Sequence, residues 1–163
     1  MEKDIFIALG SNVGDREGNL LRGLAEVAKL RDSRVTALSS FYDTEPVGMA
    51  STENFLNAVL KMESSLNPDE LLRELMRIET DVFGRERRAG VEPRRMDLDI
   101  LFYGQTVIDR PPAIVIPHPK LHERRFVLEP LAEIASEFRH PLLAKSIAEL
   151  LAGLDDISRV IRT

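Results

Sequence analysis

The hydrophobic and polar positions of this chain follow two different periods, and each period predicts one kind of element. Ile5 to Leu9 is a short apolar run that is typical of a strand, and residues 35–42 and 55–62 are two further segments that favour strands. Elsewhere apolar residues recur every three or four positions, as in helices that bury one face. We therefore expect a single domain over residues 1–163, with an α+β fold in which helices pack on a sheet.

Two helices have clear start signals. Asp15 is the expected N-cap of the first helix, and in Asn67-Pro68-Asp69-Glu70 the Asn caps, Pro takes the first helical position and an acid follows three residues after the cap. The apolar positions of the first helix are Leu20, Leu21, Leu24, Val27 and Ala28. Those of the second helix, which ends near Phe83-Gly84, are Leu71, Leu75, Ile78 and Val82. Helical spacing returns between residues 143 and 154.

Residues 94–101 place two acids one position apart inside an apolar run. On a strand Asp97 and Asp99 would share one face, and the other face would carry Met96, Leu98, Ile100 and Phe102. Two carboxylates on one face repel each other unless a cation lies between them, and Mg²⁺ prefers such oxygen ligands, usually beside substrate phosphates. A solvated pair on an edge strand or in a loop has the same pattern, so the spacing alone leaves both interpretations open.

A cluster of arginines immediately precedes this pair. Residues 85–95 contain five arginines and two glutamates, a local net charge of +3 in a chain whose net charge is −5. In an acidic protein such a cluster favours bidentate binding of a small phosphate ligand over a nucleic-acid surface, which needs a basic face. A charged, solvated loop is the alternative. Because the cluster follows the second helix, we expect a basic loop of the kind that closes over ligands.

Composition removes several classes of protein from consideration. The chain has no cysteine, which excludes a disulfide framework, a thiolate nucleophile and a cysteine-based zinc site, and its three histidines form no metal motif. No apolar run approaches transmembrane length, and the first residues lack the features of a signal peptide, so we expect a cytoplasmic protein that binds no membrane. Aromatic residues make up only 6% of the chain, which disfavours an RNA-binding α+β domain.

Two further segments have structural and functional interpretations. The turn predicted between Gly10 and Gly14 opens a helix, as phosphate-binding loops do, but it lacks the Gly-Lys-Ser/Thr ending of a P-loop and the glycine spacing of a dinucleotide fold. His118 lies between Pro117 and Pro119 in rigid chain, where an immobilised imidazole could bind a phosphate or could serve only as a hydrogen-bonded structural residue. The sequence leaves both pairs of alternatives open.

Taken together, the motifs resemble the 6-hydroxymethyl-7,8-dihydropterin pyrophosphokinase family of the folate pathway over nearly the whole chain. The segments that carry the resemblance are residues 8–12, 41–48, 55–58, 94–101, 117–119 and 124–128. The resemblance implies a ferredoxin-like α/β sandwich with a mainly antiparallel sheet, acting as a monomeric cytoplasmic enzyme. It also implies transfer of pyrophosphate from ATP to the pterin hydroxymethyl group, with release of AMP.

The resemblance also implies roles for individual residues. Asp97 and Asp99 match ligands of two Mg²⁺ ions bound with ATP, and Arg85 and Arg94 match catalytic arginines that hold the triphosphate, with Arg87 assisting loop closure. Further ATP-binding positions are Leu72, Glu79 and Ile100 around the adenosine and His118 and Arg124 at phosphate or ribose. The pterin-binding positions are Thr44, Glu45, Val47, Phe55, Asn57 and Phe126.

The chain departs from this family at two places. It has no tryptophan, and Val91 occupies the place where some members carry a loop tryptophan near the nucleotide. Residues 112–115 are less polar than in some members, which affects contacts to ATP. Three other functions remain as competitors: a nucleotide-sensing module without turnover, an RNA-binding domain, and a different ATP-dependent transferase. AMP release separates the enzyme from the module, and ADP as product would indicate an ordinary kinase.

Overall fold

The computed structural model describes residues 2–45, 54–84, 95–156 and 158–163. Its strands are β1 (Glu2–Ser11), β2 (Ser33–Leu38), β3 (Tyr42–Thr44), β4 (Phe55–Ser64), β5 (Asp97–Tyr103), β6 (Ile108–Arg110), β7 (Ile114–Ile116) and β8 (Val160–Arg162). Its α-helices are α1 (Arg16–Ala28), α2 (Pro68–Arg77), α3 (Arg125–Ala135) and α4 (Ile147–Ala152). A π-helical turn, Ile78–Val82, extends α2, and a 3₁₀ turn, Leu121–Glu123, precedes α3.

The central sheet is antiparallel, with strand order β5-β1-β4-β3-β8. β2 also pairs with β4, and β6 and β7 form a separate two-stranded hairpin. Helix α1 follows β1, and helix α2 connects β4 to β5. β1 and β4 lie next to each other within the sheet, which is the split βαβ arrangement of ferredoxin-like folds. The α+β, ferredoxin-like prediction is confirmed.

β4 has two different partners along one of its edges. β2 pairs with its second half, from Leu60 to Ser64, and β3 pairs with its first residues, 55–57. Between these stretches, Ser39 forms hydrogen bonds with both backbone groups of Val59. The Ser39 amide donates to the Val59 carbonyl at 2.9 Å, and the Ser39 hydroxyl oxygen accepts from the Val59 amide at 2.9 Å. A single buried serine therefore bridges the break between two strands.

The two faces of the sheet carry separate hydrophobic clusters. One face packs against α1 and α2 and contains Ile7, Leu9, Leu60 and Leu98, all buried. The other face packs against α3 and α4 through a smaller cluster of buried residues: Phe6, Val59, Leu101, Phe102, Leu121, Val127, Leu128, Leu131 and Ile147. This second cluster covers one end of its face and leaves the ends of β1, β4 and β5 nearest Gly10 to the polar residues described below.

The predicted helix starts are confirmed. Asp15 accepts a hydrogen bond from the Gly18 amide at 3.0 Å, so it caps α1. At α2 the Asn67 side chain accepts from the Glu70 amide at 2.8 Å, and the Glu70 carboxylate accepts from the Asn67 amide at 2.9 Å. These two reciprocal bonds form a capping box, which satisfies amides that have no partner within the helix.

Two predictions about strand residues are wrong. β1 continues through Gly10 and Ser11, so the turn begins later than expected. Phe102 belongs to the cluster under α3 rather than sharing a face with Leu98, because the β1–β5 register changes from Ile7 opposite Ile100 to Phe6 opposite Phe102. The extra residue, Leu101, forms a bulge that reverses the alternation beyond it.

The helical pattern was also misjudged in three places. Leu21 and Ala28 face solvent, and Gly23 takes a buried position, where an added Cβ would lie 2.7 Å from the Met96 sulfur. α4 begins at Ile147 rather than at residue 143, and Ala144 has a φ of +56°, which interrupts a helix. The pattern does not predict α3, which begins without a capping side chain at Arg124 and contains a proline, Pro130.

Within the described residues, no helix has both the length and the apolar character needed to cross a membrane.

Candidate active site

A row of paired residues crosses the polar end of the second face. Asp97 on β5 lies opposite Gly10 on β1, Gly10 lies opposite Asn57 on β4, and Asn57 lies opposite Tyr42 on β3. Residues that face each other in an antiparallel pair project from the same side of a sheet. The row therefore brings side chains from β5, β4 and β3 together on one surface, with a glycine of β1 between them.

Asp97 and Asp99 lie side by side on this surface, as the alternation predicted. Their partners across the pair are Gly10 and Ala8, which have the two smallest side chains and leave space above β1. Both aspartates are half-buried. Leu98 between them packs into the opposite cluster, so the apolar core fixes the strand segment that presents both carboxylates.

His118 lies beside the same strand. Its amide donates to the carbonyl of Leu101 at 3.0 Å, so the bulge residue of β5 anchors it. Its Nδ1 accepts from the Lys120 amide at 3.2 Å, which leaves Nε2 to carry the hydrogen. Burial, followed by the charge of Arg124, lowers the pKa of His118 to about 4 against the opposing effect of Asp97. At neutral pH the imidazole is therefore an uncharged donor, within electrostatic reach of the Asp97 carboxylate and the Arg124 guanidinium.

Arg124 and Phe126 come from the start of α3. Arg124 is the N-cap residue, and its guanidinium carbon lies 5.5 Å from the centre of the Phe126 ring, a cation–π distance. Phe126 is half-buried and packs against the cluster under α3. The first residues of α3 thus present a cation and an aromatic ring together.

Thr44, Phe55 and Asn57 form a second group on this surface. Thr44 lies opposite Phe55, and its hydroxyl donates to the Asn57 side-chain oxygen at 2.7 Å. This bond directs the Asn57 amide nitrogen toward Gly10, where an added Cβ would lie 2.9 Å from that nitrogen. Thr44 and Asn57 are buried polar residues, so their geometry is fixed by partners within the fold.

Gly10 is a site residue that sequence reasoning missed. It was assigned to a turn, yet it is the strand position that gives Asn57 and Phe55 their room. Only the register of β1 against β4 reveals this, because the residues that need the space are more than forty positions away. The glycine within an otherwise apolar strand was the available signal, since such a glycine often marks close approach of another group.

Glu45 lies at the rim of this group. It is exposed, and its carboxylate accepts from the Arg159 amide at 2.8 Å, while its own amide donates to the Arg159 carbonyl at 3.3 Å. Its bonding partner is therefore the segment that leads into β8.

The three residues predicted around the adenosine lie on the other side of β5. Ile100 is buried in the cluster under α1 and α2, and Leu72 packs against that cluster. Glu79 is 5% exposed and accepts a hydrogen bond from the Leu98 amide at 2.8 Å. Leu72 and Ile100 thus pack behind the face that carries the aspartates, and Glu79 bonds to the backbone of β5 at the edge of the sheet. The structure does not place these three residues beside Asn57 or Phe126.

Four predicted site residues lie outside the described residues: Val47, Arg85, Arg87 and Arg94. Val91, at the place of the family tryptophan, also lies outside them. A cavity of about 460 Å³ in the described part of the chain lies elsewhere, between α4, the loop before it and the 3₁₀ turn, and none of the predicted site residues line it.

The fold and this surface define an α+β domain of the ferredoxin-like class with carboxylates, a neutral histidine and an arginine on one side and an aromatic, amide-lined site on the other. The sequence model described as 7,8-dihydro-6-hydroxymethylpterin-pyrophosphokinase (HPPK) matches residues 6–136. The chain therefore belongs to the HPPK family, and the resemblance inferred from its motifs is confirmed.

Individual relatives agree with this placement. The chain is 42% identical over 137 residues to the 2-amino-4-hydroxy-6-hydroxymethyldihydropteridine pyrophosphokinase of Bacillus subtilis, which covers 84% of this chain and 81% of the relative. It is 40% identical over 151 residues to the protein of the same name from Haemophilus influenzae, covering 93% of this chain and 92% of the relative.

A solved structure gives the same fold. The crystal structure of an HPPK-DHPS in complex with substrates superimposes with a TM-score of 0.74 over 93% of this chain, at 12% sequence identity. This chain spans 43% of that longer protein. The likeness therefore concerns the fold of one part of it.

Proposed function

We infer that this chain transfers pyrophosphate from ATP to the hydroxymethyl group of 6-hydroxymethyl-7,8-dihydropterin, producing AMP and the pterin diphosphate for folate synthesis. The observation that carries this inference is the row of Asp97, Gly10 and Asn57 across three adjacent strands. In a member of the HPPK family, this row joins a carboxylate side suited to a metal–nucleotide complex with an amide side suited to a planar heterocycle.

The aspartate pair fits Mg²⁺ delivered with ATP. Among the described residues, no group of three or more histidine, cysteine or acidic side chains could hold a metal ion by itself. Mg²⁺ typically binds through one or two carboxylates, keeps several waters and takes the remaining ligands from substrate phosphates. We therefore propose that Asp97 and Asp99 hold the two Mg²⁺ ions implied by the family, which would neutralise phosphate charge as the β-phosphorus is attacked.

The residues around this pair have the properties that a triphosphate requires. Neutral His118 offers its Nε2 hydrogen, and Arg124 offers a permanent positive charge beside it. In our proposal these two residues hold phosphate or ribose oxygens, and Arg85, Arg87 and Arg94, on sequence grounds, complete the charge neutralisation. Leu72 and Ile100 would bound the adenosine from the apolar side of β5, with Glu79 fixing that strand.

The pterin would occupy the other end of the row. Asn57 is already oriented by Thr44, so its amide can hydrogen-bond the edge of a flat heterocycle without reorganisation. Phe55 and Phe126 supply aromatic surface for stacking, and Glu45, together with Val47 on sequence grounds, bounds the rim. The substrate hydroxyl then loses its proton to solvent as its oxygen forms a bond to the β-phosphorus. The bond from that phosphorus to the oxygen that bridges it to the α-phosphorus breaks, and AMP leaves with that oxygen.

Positioning and charge neutralisation supply most of the rate acceleration in phosphoryl transfer, so no covalent intermediate on the protein is required. We further propose that residues 1–163 form one pyrophosphokinase domain, since both hydrophobic clusters share the same sheet. As in the family that the motifs indicated, we propose a cytoplasmic monomer whose substrates are the two small molecules, without nucleic acid or membrane as partner.

Product analysis tests the proposed reaction. The purified protein is incubated with ATP, Mg²⁺ and the hydroxymethyl pterin, and nucleotides and pterins are separated and identified. We expect equal amounts of AMP and pterin diphosphate, and no AMP when 6-methyl-7,8-dihydropterin, which lacks the hydroxyl, replaces the substrate. ADP with a pterin monophosphate would indicate an ordinary kinase, and ATP binding without any product would indicate a nucleotide-sensing module.

A further inference from the structure

The segment around β8, defined here as Asp156 with residues 158–163 and called the β8 segment, contacts both sides of the proposed pterin site. β8 pairs with β3, with Thr44 opposite Val160 and Tyr42 opposite Arg162. Next to this pair, Arg159 exchanges two hydrogen bonds with Glu45. β3 is therefore held by β4 on one edge and by the β8 segment on the other.

The other end of the β8 segment is bonded to the start of α3. One oxygen of the Asp156 carboxylate accepts from the Arg125 amide at 3.1 Å, and the other accepts from the Ser158 amide at 2.8 Å. The Arg125 side chain returns a bond to the Asp156 carbonyl at 2.9 Å. Because Arg125 lies between Arg124 and Phe126, these bonds fix the turn of α3 that faces the site.

Glu133, near the end of α3, connects that helix to β3 and to β8. Its carboxylate accepts hydrogen bonds from the Ser40 amide at 3.0 Å, the Tyr42 hydroxyl at 2.7 Å and the Arg162 guanidinium at 3.0 Å. Burial, together with the hydrogen bond to Glu133, raises the pKa of Tyr42 to about 12, so the hydroxyl remains a donor. Tyr42 is the next residue along the row from Asn57.

We propose that the β8 segment and Glu133 set the distance between β3 and α3, and hence the fit of the pterin between Thr44 and Phe126. Glu133, Arg162 and Asp156 are then positioning residues that contact no substrate. The inference rests on the proposed function, since it assigns these residues to the pterin side of that site. A bond network that only stabilised the fold would affect both substrates equally or neither.

The test measures the KM for each substrate and kcat from AMP formation, for folded variants checked by circular dichroism and thermal unfolding. Glu133→Gln removes the charge that faces Arg162 and one strong acceptor, and Asp156→Asn places an amide opposite a donor. We expect each to raise the pterin KM about tenfold while the ATP KM and kcat stay within about twofold. Arg162→Ala should give a smaller rise in the pterin KM, and Arg162→Lys should restore part of it.

A matched control is available elsewhere in the same sheet. Arg34 and Glu63 form an ion pair of 2.9 Å between β2 and β4, and their exposures of 70% and 17% resemble the 60% and 22% of Arg162 and Glu133. Glu63→Gln and Arg34→Ala should leave both KM values unchanged, because this pair lies at the far end of β4 from Phe55.

Several outcomes would overturn the inference. A pterin KM equal to that of the wild type in the folded variants, or an equal rise in both KM values, would reduce the network to a structural role. If Glu133→Gln does not fold, the exposed Arg162→Ala variant decides the question. Absence of AMP from the wild-type protein would instead overturn the proposed function, and the inference with it.

Discussion

The two faces of the central sheet are made from the same strands but differ in what covers them. Under α1 and α2, buried apolar side chains such as Leu9 and Leu98 continue along β1 and β5. On the other face the apolar cover ends before Gly10 and Asp97, which are the immediate chain neighbours of those two leucines. Neighbouring residues of one strand thus lie on the core face and on the face of the candidate site. Substitutions one position apart should therefore affect either the free energy of unfolding or kcat.

The aspartates should show the largest difference between an effect on kcat and an effect on the free energy of unfolding. Asp97→Ala and Asp99→Ala should each lower kcat about 10³-fold, because charge neutralisation at the phosphates is lost. Their free energies of unfolding should change less than that of the core variant Leu98→Ala, since both aspartates are only half-buried. Steady-state AMP formation and urea unfolding measure the two effects. Asp109→Ala on β6, an exposed acid, is the control, and near-normal turnover by either variant contradicts the metal-binding role.

Leu98, between the two aspartates, should show the opposite result. Its side chain is 4% exposed in the cluster under α1 and α2, so Leu98→Ala should lower the free energy of unfolding by about 3 kcal/mol. Below its unfolding transition the variant should retain most of its kcat. Urea unfolding of Leu21→Ala, whose leucine is 50% exposed, provides the comparison and should differ from wild type by less than about 0.5 kcal/mol.

Gly10 tests the polar face without removing a charge. Gly10→Ala places a methyl group 2.9 Å from the Asn57 amide nitrogen, which must shift away from the bond with Thr44. We expect the pterin KM to rise about tenfold with little change in thermal stability. Gly153→Ala, where the nearest atom would lie at an ordinary 3.5 Å, should change neither quantity. An unchanged pterin KM in Gly10→Ala would separate Asn57 from pterin binding.

The smallest expected effect is a pH dependence of the free energy of unfolding, and it comes from the end of the second face that α3 and α4 cover. His140 is buried beside Phe102, and its Nδ1 accepts from the amides of Leu142 and Leu143, both at 3.1 Å. Burial, and then the charge of His122, lowers its pKa below 6.5. The unfolded chain therefore binds more protons than the native protein just below pH 6.5, so stability falls as the pH drops through this range.

Measurement of urea unfolding across this range checks the expectation. His140→Gln, which cannot take up a proton, should flatten the decline relative to the wild type, and the difference between the two curves isolates this residue from other titrating groups. Identical slopes in both proteins would mean that His140 contributes nothing to the acid sensitivity.

Local signals in the sequence were reliable guides to local structure. The caps at Asp15 and Asn67 depend on residues three positions away, so the short patterns contained all the interactions that form them. The alternation that placed Asp97 and Asp99 on one face was also correct, because the β5 ladder is regular over those residues. The motifs indicated the correct family for the same reason, since they are short and continuous.

Features that depend on distant pairing could not be predicted in this way. The Leu101 bulge reversed the expected side of Phe102, and no pattern within β5 announces it. The importance of Gly10 depends on its register with Asn57, and Glu133 meets Tyr42 only after α3 has packed on the sheet. The roles assigned to individual site residues remain predictions until the substitutions above are measured.

The buried serine that bridges the break along β4 separates the pairing of β2 from the pairing of β3. Because Ser39 satisfies both backbone groups of Val59, the ladder between β2 and β4 is complete without any contribution from β3. A displacement of β3 therefore need not disturb the pairing of β2 with β4. The amide and the hydroxyl group of one serine thus keep the register of β2 on β4 independent of the register of β3 on the same strand.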